Sequence, residues 1–403
     1  MPKQNNRKSL QMQGLFLFSG ISAPSQAYNK SALLGSNGYH RRHTEKSFFT
    51  GETMKRILFT GGGSAGHVIP NIALIDELLS TGEADIFYMG TDGIEKRLLA
   101  DKKLPYYQID CPKLIRGGGM YGLKRNFGIP ISFLRARKSA LSHLKKLRPD
   151  LVFSKGGYVA LPVISAARKL HIPCLAHESD FSAGLSNRLS ARKCKYVFTS
   201  FPETAKSIPH GKYSGAPIRK SIFQSTKKDA RKAFSIPMSE KVLLIFGGGS
   251  GSAVINDAVR KHLRLLIKDY TILHVCGKGN VIESNVKRYR QYEFIADMGT
   301  AYACADLVIS RAGSGTVFEI LALKKPAIFI PLEGQTRGDQ IENSTYFEKK
   351  GLCHVLRQKE LDRLPSAIET AFFDKEMKER LAKTEFGRGN ENILREIRKI
   401  LNR

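Results

Sequence analysis

The stretch Lys55 to Leu79, KRILFTGGGSAGHVIPNIALIDELL, constrains the fold more than any other part of the chain. The apolar run Ile57-Leu58-Phe59 predicts a short strand. Gly61, Gly62 and Gly63 follow at once, and from Pro70 the apolar residues Ile72, Ala73, Ile75, Leu78 and Leu79 recur at helical spacing. Strand, glycine-rich turn and helix in that order aim backbone N–H groups and the positive end of a helix dipole at an anion. His67 stands in the middle of the turn. The spacing is not the dinucleotide fingerprint G-x-G-x-x-G, and the lysine of a Walker loop is missing. The same unit returns later. Val242 to Phe246 predicts a strand, Gly247 to Ser252 a glycine-rich turn, and Val254, Ile255, Ala258, Val259, Leu263 and Leu266 a helix. Two such units predict an α/β chain of two Rossmann-like domains facing one cleft.

A chain of 403 residues has room for two domains of ordinary size. It carries 65 Lys and Arg against 36 Asp and Glu, a formal net charge of +29, which implies an anionic partner: nucleic acid, an anionic membrane surface or a phosphorylated substrate. The six cysteines stand far apart, at 111, 174, 194, 276, 304 and 353, each in or beside an apolar run. Free buried thiols in a reducing compartment are the expectation. No apolar run reaches the roughly 18 residues of a membrane span.

Residues 1–53 are polar, rich in Ser and Asn, and without sustained periodicity. They are expected to be a disordered extension or to precede the true start, with Met54 just before the first strand. The first domain is placed at 54–217. Within it, Leu114, Ile115, Met120, Tyr121, Leu123, Phe127, Ile129, Ile131, Phe133 and Leu134 mix with basic residues, and no acidic residue lies between Asp110 and Asp150. This segment suits an anionic bilayer surface, or a core helix with a solvated basic face. No nucleic-acid reader module accompanies it, so no nucleic-acid partner is expected. A strand from Pro173 ends in His177-Glu178-Ser179-Asp180, where open α/β sheets place their site residues. Asn187 follows on a helix. Gly215-Ala216-Pro217-Ile218-Arg219 reads as a hinge, with Arg219 placed to reach into the cleft.

The second domain is placed at 218–403. Its expected strands include Thr271–Cys276, Tyr292–Ile295, Asp306–Ser310 and Ala327–Pro331. Glu319 lies near the start of a helix after Ser310. It is read either as a carboxylate for a ribose diol or as a charge stabilised by the helix dipole. Gln340 and Asn343 bring amides, which donate and accept as sugar hydroxyls require. The closing helix, with Ile393, Ile397, Ile400 and Leu401 on one face, is expected to fold back across the domain junction.

Eight stretches in fixed order carry a resemblance: TGGGSAGHVIP at 60–70, KGGYVALP at 155–162, HESDFSAGLSNR at 177–188, GAPIR at 215–219, GGGSGSAVIN at 247–256, FIADM at 294–298, RAGSGTVFEI at 311–320 and DQIEN at 339–343. Over about residues 54 to 400 the chain resembles the MurG family of bacterial peptidoglycan glycosyltransferases. The resemblance implies a GT-B fold and a metal-independent, inverting transfer of N-acetylglucosamine. The donor would be UDP-N-acetylglucosamine and the acceptor the C4 hydroxyl of undecaprenyl-diphospho-muramoylpentapeptide. It implies no cofactor and no metal ligands, a peripheral position on the cytoplasmic face of the cell membrane, and other cell-wall synthesis proteins as further partners. The loop Gly249, Ser250 and Gly251 with Arg219 would hold the diphosphate, the backbone near Ile295 the uracil, Glu319 the ribose, and Gln340 and Asn343 the sugar. Ser64, Ala65, Gly66 and Asn187 complete the binding set. His67 is the first choice for the base that deprotonates the acceptor hydroxyl, Glu178 the second and Asp180 the third; alternatively His67 only hydrogen-bonds its own loop. Departures from the family pattern fall at Ser179, Asp180, Ala216, Ser250 and Asp339. They keep open a diverged relative using another UDP-sugar or lipid acceptor. A UDP-sugar epimerase, a membrane scaffold and a nucleic-acid-binding protein are the remaining alternatives.

Overall fold

The computed structural model describes residues 54–113, 128–334 and 337–402. The expectations for residues 1–53 and for Leu114 to Phe127 of the basic apolar segment fall outside them. The described chain builds two wholly parallel sheets. The first holds β1 (Arg56–Thr60), β2 (Asp85–Gly90), β3 (Tyr106–Gln108), β4 (Leu151–Ser154), β5 (Cys174–Glu178), β6 (Tyr196–Thr199) and β7 (Gly211–Tyr213) in the order β3-β2-β1-β4-β5-β6-β7. The second holds β8 (Lys241–Phe246), β9 (Tyr270–Val275), β10 (Tyr289–Tyr292), β11 (Leu307–Ser310), β12 (Ala327–Phe329) and β13 (His354–Val355) in the order β10-β9-β8-β11-β12-β13. The central strands are apolar throughout because helices cover both faces; Ile57, Leu58 and Phe59 are all buried, as are Leu243, Leu244 and Ile245.

In each sheet the strand order reverses beside the first strand, at β1/β4 and at β8/β11. A crevice opens at the carboxyl ends of the strands at such a point. The two sheets share local devices as well as order. Asp150, just before β4, accepts a hydrogen bond from the backbone N–H of Arg56 at 2.7 Å, and Asp306, just before β11, accepts one from Val242 N–H at 2.8 Å. Each carboxylate ties its strand to the amino end of the neighbouring first strand.

Several elements differ from the sequence expectation. The first helix runs Ala65–Thr81, so Pro70 lies inside it and the glycine turn is shorter than its spacing suggests. A proline there removes one ladder hydrogen bond, and helix packing outweighs that loss. β10 ends at Tyr292 and does not begin there; Phe294 is exposed in the loop that follows. β7 is a short edge strand whose Gly-Lys-Tyr sequence carries no strand pattern.

The closing helix, Gly389–Leu401, buries Ile393, Leu394, Ile397 and Leu401 in one cluster with Ile57, Leu78 and Leu151 of the first sheet and its helices. Its polar side is fixed as firmly. Arg398 donates to both oxygens of Glu83, at 2.7 and 2.8 Å, and Asn390 accepts from Ile218 N–H at 2.9 Å while donating back to Ile218 O at 2.9 Å. The helix Ile129–Leu147 buries Ala136, Ala140, Leu144 and Leu147, and it leaves Ile131 and Leu134 more than half exposed. Among the described residues no helix is long and apolar enough to cross a membrane. All six cysteines are free thiols, five of them buried.

Candidate active site

The turn after β1 ends at Ser64, whose extended backbone starts the helix Ala65–Thr81. The Ser64 hydroxyl does not cap that helix; it lies 3.0 Å from His67 Nδ1. The same nitrogen is 3.1 Å from the carbonyl oxygen of Gly62. A carbonyl can only accept, so Nδ1 carries the proton and Nε2 keeps its lone pair. Loss of solvent and the nearby Lys155 pull the imidazole down to about 4, against the opposing charge of Asp180. The ring keeps some solvent contact, and at neutral pH it is uncharged. Ala65 and Gly66 belong to the first helical turn, beside the histidine.

Glu178 ends β5. Its Oε1 accepts from Asp180 N–H at 3.0 Å; its Oε2 accepts from Gly184 N–H at 2.8 Å and from the Asn187 amide at 3.0 Å. Both oxygens are spent on folding their own loop, which argues against the second-choice base. Asn187 is buried too, donating to His177 O at 3.1 Å. Its amide N–H groups brace the loop, and its Oδ1 is buried without a partner among the described residues. Lys155, the first residue after β4, is almost wholly buried beside these groups. Burial lowers its ammonium pKa, while Glu178 and Asp180 oppose the shift.

Across the cleft, Asp180 pairs with Arg337 at 2.8 Å and accepts from Asn343 Nδ2 at 3.1 Å. Asn343 Oδ1 accepts from Phe181 N–H at 2.9 Å, and the residue is fully buried. In this conformation the Asn343 amide joins the two halves and does not reach an open sugar site. Gln340 likewise spends its Oε1 on Leu332 N–H at 3.0 Å.

The turn after β8 faces the amino end of the helix Ala253–Asp269. Gly251 sits with φ near +77°, and a side chain there would strike the carbonyl of Cys276 in the turn after β9. Ser252 caps the helix by accepting from Ile255 N–H, and its hydroxyl takes a 2.8 Å hydrogen bond from Arg311. Arg311, nearly buried, is held from behind by the carbonyls of Ile330 and Pro331 at 3.2 and 3.1 Å. Gly249 and Ser250 are exposed at the turn's crest. Arg219 donates through Nε and Nη2 to one oxygen of Glu319, at 3.0 and 2.8 Å; the other oxygen lies 3.4 Å from the Tyr302 hydroxyl. Glu319 falls in the second turn of the helix Ser314–Ala322, past the turn where the dipole acts, and Arg219 is its partner instead. Ile295, partly buried, lies in the loop between β10 and the helix Met298–Cys304. Among the described residues no group of three or more His, Cys, Asp or Glu could hold a metal ion.

Lys155, Arg311, Arg337 and Glu95 belong to the site's surroundings, and motif spacing did not single them out. A signal for two of them stands in the chain: Asp150-Leu-Val-Phe-Ser-Lys155 and Asp306-Leu-Val-Ile-Ser-Arg311 are one string written twice. Each puts a buried base at the end of the strand across the switch point.

Two doubly wound halves facing a cleft, with basic groups beside one helix amino end, have the architecture of GT-B-type glycosyltransferases. The comparisons agree. Residues 57–199 match the family model "Glycosyltransferase family 28 N-terminal domain", and residues 242–397 match "Glycosyltransferase family 28 C-terminal domain". A Clostridium perfringens protein named UDP-N-acetylglucosamine--N-acetylmuramyl-(pentapeptide) pyrophosphoryl-undecaprenol N-acetylglucosamine transferase is 44% identical over 314 residues, 76% of this chain and 87% of the relative. A Lachnospira eligens protein of the same name is 40% identical over 80% of this chain and 92% of its own length. The crystal structure of Acinetobacter baumannii MurG superposes with a TM-score of 0.68 at 28% identity, covering 86% of this chain and 99% of that one. The chain belongs to glycosyltransferase family 28 and, within it, to the MurG family. The UDP-GlcNAc 2-epimerase of Neisseria meningitidis superposes with a TM-score of 0.61 at 17% identity, covering 87% of this chain and 100% of that one; at that identity the likeness is one of fold alone.

Proposed function

We propose that the protein transfers N-acetylglucosamine from UDP-N-acetylglucosamine to the C4 hydroxyl of undecaprenyl-diphospho-muramoylpentapeptide, with inversion at the anomeric carbon. The observation that carries this reading is the asymmetry of the two glycine turns. The first holds a neutral imidazole with a free Nε2 and has a carboxylate on one of its own amides, Gly63 N–H to Glu95 at 3.2 Å. That is a place for a base and a poor place for phosphate. The second combines a helix amino end with Arg311 at its cap, so the donor's diphosphate belongs there in this reading, with Arg219 reaching in from the hinge.

In this reading residues 54–217 take the acceptor and 218–403 the donor. Glu319 offers the ribose the oxygen that Arg219 leaves open, and the backbone near Ile295 reads uracil. Gly249, Ser250 and Gly251 hold phosphate oxygens. Gln340 and Asn343 reach the sugar only after giving up the partners described above. Ser64, Ala65 and Gly66 line the approach of the acceptor hydroxyl. Charge growing on the leaving diphosphate is met by arginine and helix dipole, a task that needs no divalent ion. The exposed Ile131 and Leu134, with Arg135 and Lys138 beside them, rest on the anionic cytoplasmic face of the membrane that carries the lipid acceptor.

The test is transfer of labelled sugar to purified lipid acceptor by wild type and by His67→Ala. The expected result is a turnover loss of about a hundredfold or more in the variant, with donor binding little changed. Full turnover in His67→Ala would remove the histidine from this role. Conversion of the sugar nucleotide without any acceptor would indicate an epimerase instead.

A further inference from the structure

Glu95 is a fully buried carboxylate in a pocket shaped for it. Side chains at Gly62, Gly90 or Gly93 would come within 2.5, 2.9 and 3.0 Å of its atoms, so three glycines make its room. Its Oε1 accepts from Thr91 N–H at 2.9 Å and from the Thr91 hydroxyl at 2.6 Å. Its Oε2 accepts from Gly63 N–H at 3.2 Å. Every one of these partners is a donor.

The amide of Gly63 belongs to the same peptide group as the carbonyl of Gly62, and that carbonyl accepts from His67 Nδ1–H at 3.1 Å. One peptide unit therefore stands between a buried carboxylate and the imidazole. Its N–H points at Glu95 and its C=O at His67. Hydrogen bonds in series polarise one another: a carboxylate drawing on the N–H pushes electron density onto the carbonyl oxygen, which becomes a stronger acceptor for Nδ1–H. A stronger acceptor at Nδ1 fixes the tautomer and makes Nε2 more basic, the work that a carboxylate bonded directly to histidine does in a hydrolase triad. Gly157 keeps the far side of the link clear, since a side chain there would meet the Gly62 carbonyl at 2.3 Å and His67 Nδ1 at 3.2 Å.

We infer that Glu95 is a positioning residue for the transfer reaction, acting on His67 through the Gly62–Gly63 peptide. This rests on the assignment of His67 as the base. The charged groups around the ring are Lys155, Asp180 and Arg337; the peptide link adds a fourth influence from beneath the turn.

The experiment is a double-mutant cycle on turnover with wild type, Glu95→Gln, His67→Ala and the double variant, together with the pH profile of Glu95→Gln. Glutamine keeps the shape and removes the charge. Its turnover is expected to fall about ten- to a hundredfold, the size of effect seen when the partner behind a metal-bound histidine is removed and less than that of a carboxylate bonded directly to a catalytic one. Donor KM should stay within about twofold, and the acid limb should move to lower pH as Nε2 loses basicity. The double variant should be no slower than His67→Ala, because Glu95 has nothing left to act on. Glu95→Gln with wild-type turnover and an unmoved acid limb, or losses that multiply in the double variant, would overturn the inference while leaving His67 as base. High turnover in His67→Ala would overturn the base assignment and this inference with it. Should Glu95→Gln fail to fold, nitrogen-15 spectra of histidine-labelled wild type decide the matter: the proton of His67 must be on Nδ1, and a proton on Nε2 at neutral pH overturns the link.

Discussion

Arg219 and Glu319 meet as a pair in which each is the other's nearest opposite charge, with side chains 25% and 11% exposed. The sequence allowed either residue a task of its own, and the pairing could not be read there because a hundred residues separate them. Removing one partner alone leaves a largely buried charge. Arg219→Ala should therefore lower stability by roughly 1–3 kcal/mol as well as slow transfer, whereas the double change Arg219→Ala with Glu319→Gln should regain much of the stability and none of the rate. Denaturant midpoints beside donor KM and turnover distinguish the two effects. Equal stability in the single and double variants would show that the pair is solvated in solution. The residues legible from sequence were those on glycine turns, His67 above all, because a turn's composition announces itself. Glu178 and Asn187 stand in equally suggestive strings, yet the Glu178 carboxylate and the Asn187 N–H groups fold their own loop. Only the hydrogen-bond partners reveal that.

Helix boundaries show the same limit at the scale of elements. Pro70 read as a helix start because proline is favoured in a first turn, but the apolar face that packs against β1 reaches back to Val68 and carries the helix to Ala65. The consequence is functional, since it moves His67 from a free turn into a helix whose geometry holds it. The helix Ile129–Leu147 gives an element-scale prediction. Ile131→Asp with Leu134→Asp changes only exposed positions, so stability should stay within about 0.5 kcal/mol. Binding to anionic vesicles should weaken severalfold, and the binding of wild type should fall with salt. Vesicle flotation checks both; unchanged binding in the double variant would place the membrane contact elsewhere. Within the closing helix, Ile397→Ala empties a fully buried position and should cost about 2–5 kcal/mol, measured by denaturant unfolding.

For the whole molecule, acid is the informative variable. His67 and His274 are both held down to about 4 by burial, and His177 is held well below the ordinary imidazole value by burial and by Lys155. Below about pH 6.5 the unfolded chain binds protons at these positions that the folded chain refuses, so stability must decline as pH falls toward 4. Each group contributes up to about 1.4 kcal/mol per pH unit inside that window. Denaturation midpoints measured from neutral pH down to about pH 5 should fall steadily; a flat profile would mean that these rings are more open to water than the structure shows. The doubly wound plan was legible because it is written twice, in strand–glycine–helix units and again in the paired Asp-Leu-Val strings. The side-chain ties between the halves were not, because Asp180, Arg337, Asn343 and Asn390 act across gaps in the chain that no local pattern spans. The closing helix has one more consequence, in the order of synthesis. The half that leaves the ribosome first lacks Ile393, Leu394, Ile397 and Leu401, the residues that seal its core, until the closing helix has been made. Nascent chains arrested before Gly389 should therefore present an open apolar seam beside Leu78, a surface for chaperones to hold, and the seam should close only once that helix has emerged.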